Sequence, residues 1–340
     1  MIALEMLPLT DMIFRHHTHF GVGDISGSFN MPPVSTIVGA LRTAIGNALD
    51  VDWSLYVQSG ERDEIYDLIG DVDGEPPFAV SFPYLIVGNT PMIKMPFNVI
   101  VAEQGKEYAG IFIPFETEIE DVPFKLTKLI DMKGKKPLSG DVYISLSAIE
   151  KLYSEKGHWV KLTRSSVEGD GDFVVLSDVL GVFFHTGIKI DRSKYTVFRG
   201  KQGGYMFRYK GIEYLPAVKI GAIVVGDANV LEVLKKLAGK EIFVGAKGGV
   251  AYVNVEDVPF PLNKASSKVW ILYSPMYQTQ PPFGFDDMPS GVALQGKYII
   301  TGYNIAERDG KPTKISLPPS SVFFFEGGYN GKSKSIFITL

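Results

Sequence analysis

The tightest constraint on this chain lies in residues 1–50. The apolar run Ile2 to Phe14 predicts a strand, and a polar, glycine-rich loop follows from Arg15 to Asn30. MPPVST then opens a helix. Pro32 and Pro33 hold the approach extended, and Ser35 or Thr36 is the expected N-cap. Ile37, Val38, Leu41, Ala44, Ile45, Ala48 and Leu49 recur at helical spacing and make one apolar face. Gly39 and Gly46 weaken a helix, so close packing or close ligand approach must account for them. Strand, long loop and helix N-terminus together offer free N–H groups and a positive dipole end, which suit a phosphate. Arg15 and Arg42 add charge there. By motif logic alone a capped core helix is the preferred reading.

A length of 340 residues suggests about two domains. Hydrophobic residues make up 45%, enough for sizeable cores and too many for a disordered chain. With no cysteine, disulfides and thiolate chemistry are excluded, and a reducing interior is the natural compartment. The start MIALEMLPLTD lacks a basic signal-peptide region, and no apolar run approaches the roughly 20 residues of a membrane helix. A cytoplasmic location is expected. The net charge of -4 argues weakly against nucleic-acid binding, but the charge is segregated. Asp50 to Glu75 carries nine acids and one base; Lys189 to Lys210 carries seven bases and one acid. A local basic patch binds phosphate whatever the total.

Along the chain, residues 51–75 read as a solvated acidic face with a short helix near Glu61 to Ile69. Prolines recur from Pro76 to Pro123 between short β-type runs, which fits edge strands. VYISLSAIEKLYS predicts a short helix capped at Ser145 or Ser147. Residues 181–225 read as strands forming a long hairpin with an irregular, basic tip. Ala228 to Lys240 is an amphipathic helix that Gly239 ends. The order β-α-(insertion)-β-β-α-β is that of a split βαβ, or ferredoxin-like, unit. It gives an α+β chain: residues 1–258 form one unit, with core 1–50 and 180–258 and insertion 51–179. Residues 259–340 form a second, β-rich half, expected to pair with part of the insertion.

Three constellations bear on chemistry. His16, His17 and His19 beside Arg15 crowd one loop. They lack the HExxH spacing of a zinc hydrolase, so hydrogen-bonding roles are favoured over metal, with RNA contact a third reading. His158 and His185 are solitary. In 189–210 the bases, including Lys189, Arg192 and Arg199, interleave with Tyr195, Phe198, Tyr205, Phe207 and Tyr209. That suits single-stranded nucleic acid, with a plain strand pair as the even alternative. Gly245, Gly248 and Gly249 surround Lys247 in a loop open to phosphate approach; a strand bulge is the default for it. GxxxxGK[ST], GxSxG and dinucleotide fingerprints are absent, and the acids form no obvious catalytic pair. No metal or cofactor is expected.

The ordered series of motifs resembles the third Cmr subunit family of CRISPR type III-B effector complexes, within the RAMP superfamily. PLTDMIFRHHTHFGVGD followed by MPPVSTIVGALRTAIG is similar to that family's opening. KPLSGDVYISLSAIEKLY resembles its central segment, HTGIKIDRSKYTV its GI-x-ID-R motif, and ITGYNIAERDGKPTKISLPPSSVFFFEG its closing signature. The glycine loop at 244–250 sits where the family has its own, with Lys247 where arginines are frequent. The resemblance implies tandem ferredoxin-like (RRM-like) folds and no nuclease. It also implies binding of the 5′ tag of the guide RNA (crRNA) beside the large polymerase-like subunit and the backbone RAMP subunits. The expected RNA-binding set is Arg15, His16, His17, Ser35, Thr36, Gly39, Arg42, Lys189, Arg192, Arg199, Gly245, Lys247 and Gly248. The rival readings are a metal-independent endoribonuclease using His16, His17 or His19, and a pure protein scaffold.

Overall fold

The structure is a computed structural model. It describes residues 1–14, 25–26, 29–58, 64–71, 74–114, 127–128, 132, 134–155, 158–166, 169–188, 190–191, 196–197, 199–200, 203–204, 206–246, 248–279, 283–300, 303–304, 309–310, 313–331, 333 and 335–340. The elements that position the candidate site are, in chain order, β1 (Ile2–Pro8), α1 (Val34–Ala48), β2 (Tyr84–Val87), β3 (Thr90–Lys94), β4 (Val142–Ser145), α2 (Leu146–Ser154), β5 (Phe173–Val175) and β6 (Leu180–Ile188). They continue with β7 (Met206–Tyr214), β8 (Val218–Val225), α3 (Ala228–Lys235), β9 (Lys240–Phe243), β10 (Val250–Glu256), β11 (Ser267–Leu272), β12 (Gly291–Ala293), β13 (Val322–Tyr329) and β14 (Phe337–Thr339).

The fold is mixed α/β and mostly antiparallel. Its main sheet runs β5-β4-β3-β2-β8-β1-β10-β9, with Ala79–Val80 also paired to β8. β1 lies between β8, where Ile2 meets Val224, and β10, where Pro8 meets Ala251. β8 is apolar almost throughout because both of its faces are covered. Gly221 is needed in it: a Cβ there would stand 2.1 Å from the Tyr84 ring on the neighbouring strand. Alternation along β2 sends Leu85 and Val87 into a core with α1 and α3, and Tyr84 and Ile86 into a second core with α2. α2 and α3 are capped as side-chain chemistry expects. The Ser145 hydroxyl accepts from the Ala148 N–H, and the Asp227 carboxylate accepts from the Val230 N–H.

Four expectations change. Segment 51–179 supplies β2 to β5, so the main sheet runs through it instead of setting it aside. Proline density does not bar this, because Pro91 sits at the start of β3 opposite Ile86. The β6–β7 hairpin is not part of the main sheet. It forms its own ladder from Leu180 opposite Tyr214 to Ile188 opposite Met206, joined by Ile25–Ser26 parallel to β7. The tail strands pair among themselves, in the order β12-β13-β11-β14, and meet the 79–98 segment through single bonds. Those bonds include Phe82 N–H to Tyr273 O at 2.7 Å and Ser320 Oγ to Lys94 O at 2.6 Å. Rings fill the inner side of that tail sheet, with Trp270 edge-on to Tyr329 and Phe337 at 5.2 and 5.4 Å.

Helix α1 also starts differently. Pro33, not Ser35 or Thr36, is its N-cap, and no side chain caps it. Proline at φ -59 already sets the helical entry, and its carbonyl accepts from the Thr36 N–H at 2.9 Å. Ser35 and Thr36 therefore fall inside the first turn, half-buried. The Tyr298 hydroxyl hydrogen-bonds the Val34 backbone at the same end, and burial pushes its pKa up to about 12. Among the described residues, no helix is long and apolar enough to cross a membrane.

Candidate nucleic-acid interface

Strand β1 runs on into Asp11–Phe14, and three other segments meet there. Met12 and Ile212 exchange two backbone hydrogen bonds of 2.8 Å, which ties the strip to the β6–β7 hairpin. The Ala246 N–H donates to Ile13 O at 3.0 Å, which ties it to the glycine loop. The Phe29 N–H donates to Phe14 O at 3.1 Å, which brings back the end of the long first loop just ahead of α1. Met12, Ile13 and Phe14 are all buried. A buried backbone needs partners for its polar groups, and here separate parts of the chain supply them.

Two of the loop glycines answer to this packing. At Gly245, φ is +83, and a Cβ would stand 2.8 Å from Ile13 O. At Gly249 a Cβ would stand 2.4 Å from Val244 O and 3.0 Å from Met12 Sδ. The Val244 N–H donates to Gly249 O at 2.8 Å and closes the loop into a turn. Gly248 is different: it is exposed, its φ is +79, and nothing lies within 4 Å of its Cβ position. Its positive φ explains the glycine, and its open side leaves the backbone reachable by a ligand.

The hairpin root carries polar ties. His185 Nε2 lies 3.1 Å from Asp11 Oδ2. Lys210 donates to the Asn30 side chain, and Tyr214 donates its hydroxyl to Asn30 O at 2.6 Å. Burial draws the Lys210 ammonium below its ordinary pKa. Asp11 and Asn30 carry no signal in the sequence, whereas His185, expected as a solitary hydrogen-bonding residue, finds its partner in Asp11. Asp11 and His185 are 174 positions apart, and only the pairing of Met12 with Ile212 brings them together.

The expected RNA-binding residues divide as follows. Gly245 and Gly248 lie at the meeting point. Ser35 and Thr36 lie in the first turn of α1, just after the Asn30 contact. Gly39 is exposed with open space at its Cβ position, so packing does not explain it, whereas a Cβ at Gly46 would strike the Trp53 ring at 2.4 Å. Arg199 is described in backbone only, in Arg199–Gly200 paired with Gly203–Gly204. Arg15, His16, His17, Lys189, Arg192 and Lys247 lie outside the described residues, as does His19.

Arg42 is turned away from the meeting point. Its guanidinium donates to the Tyr56 hydroxyl at 2.8 Å, to Gly70 O and Gly74 O, and to Asp71 O. The reason is position. Arg42 stands eight residues into α1, roughly 12 Å from its start at 1.5 Å per residue. There it faces Tyr56, Gly70, Asp71 and Gly74 and ties them to α1.

Solved structures share this architecture. A chain of a structure described as "Cryo-EM structure of the Type III-B Cmr-beta bound to cognate target RNA" aligns over 95% of this chain and 86% of its own, at 15% identity and a TM-score of 0.55. A chain of the same complex with AMPPnP added aligns over the same shares, at 16% identity and a TM-score of 0.52. At such identities the likeness is one of fold, and that fold is found in a CRISPR effector complex. No curated protein matches the sequence. The family model described as "CRISPR-associated protein (Cas_Cmr3)" matches residues 4–272. This chain belongs to the Cas_Cmr3 family.

The Arg42 assignment gives a clear expectation. Arg42→Ala should lower stability by about 1 kcal/mol, because it removes the donor to the half-buried Tyr56 hydroxyl and Gly74 O. Hydrogen exchange should rise in 53–71, while RNA affinity stays within about twofold. A folded variant that keeps its stability and loses RNA binding would return Arg42 to the interface.

Proposed function

We propose that this chain is a non-catalytic, RNA-binding subunit of a type III-B CRISPR effector complex. It holds the 5′ tag of the guide RNA beside the large polymerase-like subunit and contacts the backbone RAMP subunits. Family membership and the fold shared with a complex described as RNA-bound support this reading. The observation that carries it is the convergence of the first loop, the hairpin and the glycine loop on Asp11–Phe14. That convergence brings the hairpin root, the glycine loop and the end of the first loop onto one strip, which supports a shared binding surface.

Tandem ferredoxin-like halves belong to the same reading. In the main sheet β10, β1, β8 and β2 lie side by side, which is the fourth, first, third and second strand of a βαββαβ unit with α1 and α3 as its helices. The hairpin then projects from the connection between the second and third strands. It leaves the sheet at the end where β1 gives way to the Asp11–Phe14 strip.

Charge should follow the backbone of the RNA, and stacking and hydrogen bonds should set preference. Lys247→Ala and Arg192→Ala should each weaken guide binding and flatten the log–log salt slope by about 0.7–1, one phosphate each. Unchanged slopes in both variants would remove them from the phosphate path. The purified chain should also leave repeat and guide RNA intact in EDTA, Mg²⁺ or Mn²⁺. Turnover that His17→Ala abolishes would instead establish the endoribonuclease reading.

A further inference from the structure

The root of the hairpin presents a half-exposed group of rings. His185 and Tyr209 are directly opposed across β6 and β7, so they share a face. Their rings stack at 4.9 Å and 22°. Phe183, on the same face, meets His185 edge-on at 4.8 Å and 85°. Opposite Phe183 is Gly211, where a Cβ would stand 2.2 Å from the end of the Phe183 ring. The glycine therefore lets that ring lie across the neighbouring strand. Asp11 fixes the His185 ring from the Met12 side at 3.1 Å, and both side chains remain 43% exposed. The ring cluster of the tail differs, because Trp270, Phe285 and Phe337 are buried among one another.

We propose that Phe183, His185 and Tyr209 form a stacking shelf for one unpaired nucleobase of the guide, with Asp11 holding the His185 ring in place. The inference rests on the RNA-binding reading above and adds a subsite to it. Charge decides what the shelf takes. Asp11 repels a phosphate, so the backbone must pass on its basic side and leave the base to lie on the rings. Arg208 and Lys210 are on the other face of the same hairpin, opposite Thr186 and Phe184, where a phosphate path is possible. Ring stacking tolerates any base because every base has a π-face.

The test uses the chain assembled with its complex and guides that carry a single abasic nucleotide, moved stepwise through the tag. His185→Ala should weaken guide binding about tenfold without changing the salt slope, and His185→Phe should stay within about twofold. At one abasic position the wild type should lose the same factor, and His185→Ala should add no further loss. In the wild type, 2-aminopurine placed at that position should be quenched on binding. Equal binding by wild type and His185→Ala overturns the shelf. So does a His185→Ala loss of the same size on every abasic guide, or unquenched 2-aminopurine at every tag position. A wild-type chain that binds no guide overturns the RNA-binding reading and the shelf with it. Guide binding that is intact but indifferent to His185 overturns the shelf alone.

Discussion

The backbone of Asp11–Phe14 is hydrogen-bonded to three separate parts of the chain at once. One edge of Met12 pairs with Ile212 of the hairpin, Ile13 O takes the Ala246 N–H, and Phe14 O takes the Phe29 N–H. The strip continues β1, an inner strand of the main sheet, so it inherits a fixed position from Leu4 and Met6 in the core. Buried polar groups left without partners would cost about 1–3 kcal/mol each. The hairpin and the glycine loop therefore cannot part from the strip cheaply, and they behave as one surface. Gly245 and Gly249 make that closeness possible, since any side chain would strike Ile13 O or Val244 O.

A single helix divides this surface from the acidic segment. The start of α1 follows the Asn30 contact with Tyr214 at the meeting point. Further along, Arg42 grips the carbonyls of 70, 71 and 74 and the Tyr56 hydroxyl, and Gly46 admits the Trp53 ring. Tyr56 in turn stacks on Tyr66 at 5.1 Å. The rings of Trp53, Tyr56 and Tyr66 pack toward α1, while Asp50, Asp52, Asp67, Asp71 and Glu75 are exposed, as a solvated acidic face requires. Its Glu75 pairs with Lys314 of the tail.

Local patterns were legible in the sequence, and distant partners were not. The period of α1 showed Ile37, Leu41, Ala44 and Ile45 as its inner face, and all four are buried. Ala48 and Leu49, counted on the same face, are exposed where Asp50 at φ 54 ends the helix. The cap of α2 was narrowed to Ser145 or Ser147, and Ser145 fills it, because the signal lies within three residues. The glycine loop could be seen, but the reason for Gly245 could not, since Ile13 and Phe14 stand more than 200 positions earlier; Gly249 answers both to Val244 within its own loop and to the distant Met12. β8 reads as a buried strand, yet nothing in it announces β2 as its partner, and the prolines of 76–96 pointed to an edge. Arg42 was misplaced because a charge reports its sign and not what it faces. The Asp11–His185 pair was invisible for the reason of distance alone.

On the proposed function, one surface gathered by Asp11–Phe14 receives the guide tag. The most direct measurement is photocrosslinking of 4-thiouridine, placed one position at a time in the 5′ tag, within the assembled complex. Mass spectrometry of the adducts would then locate each contact on this chain. Adducts should fall in residues 9–31, 180–214 and 244–250, with adjacent tag positions reaching more than one of the three. Adducts confined to 76–123 or to β11 to β14 would contradict it.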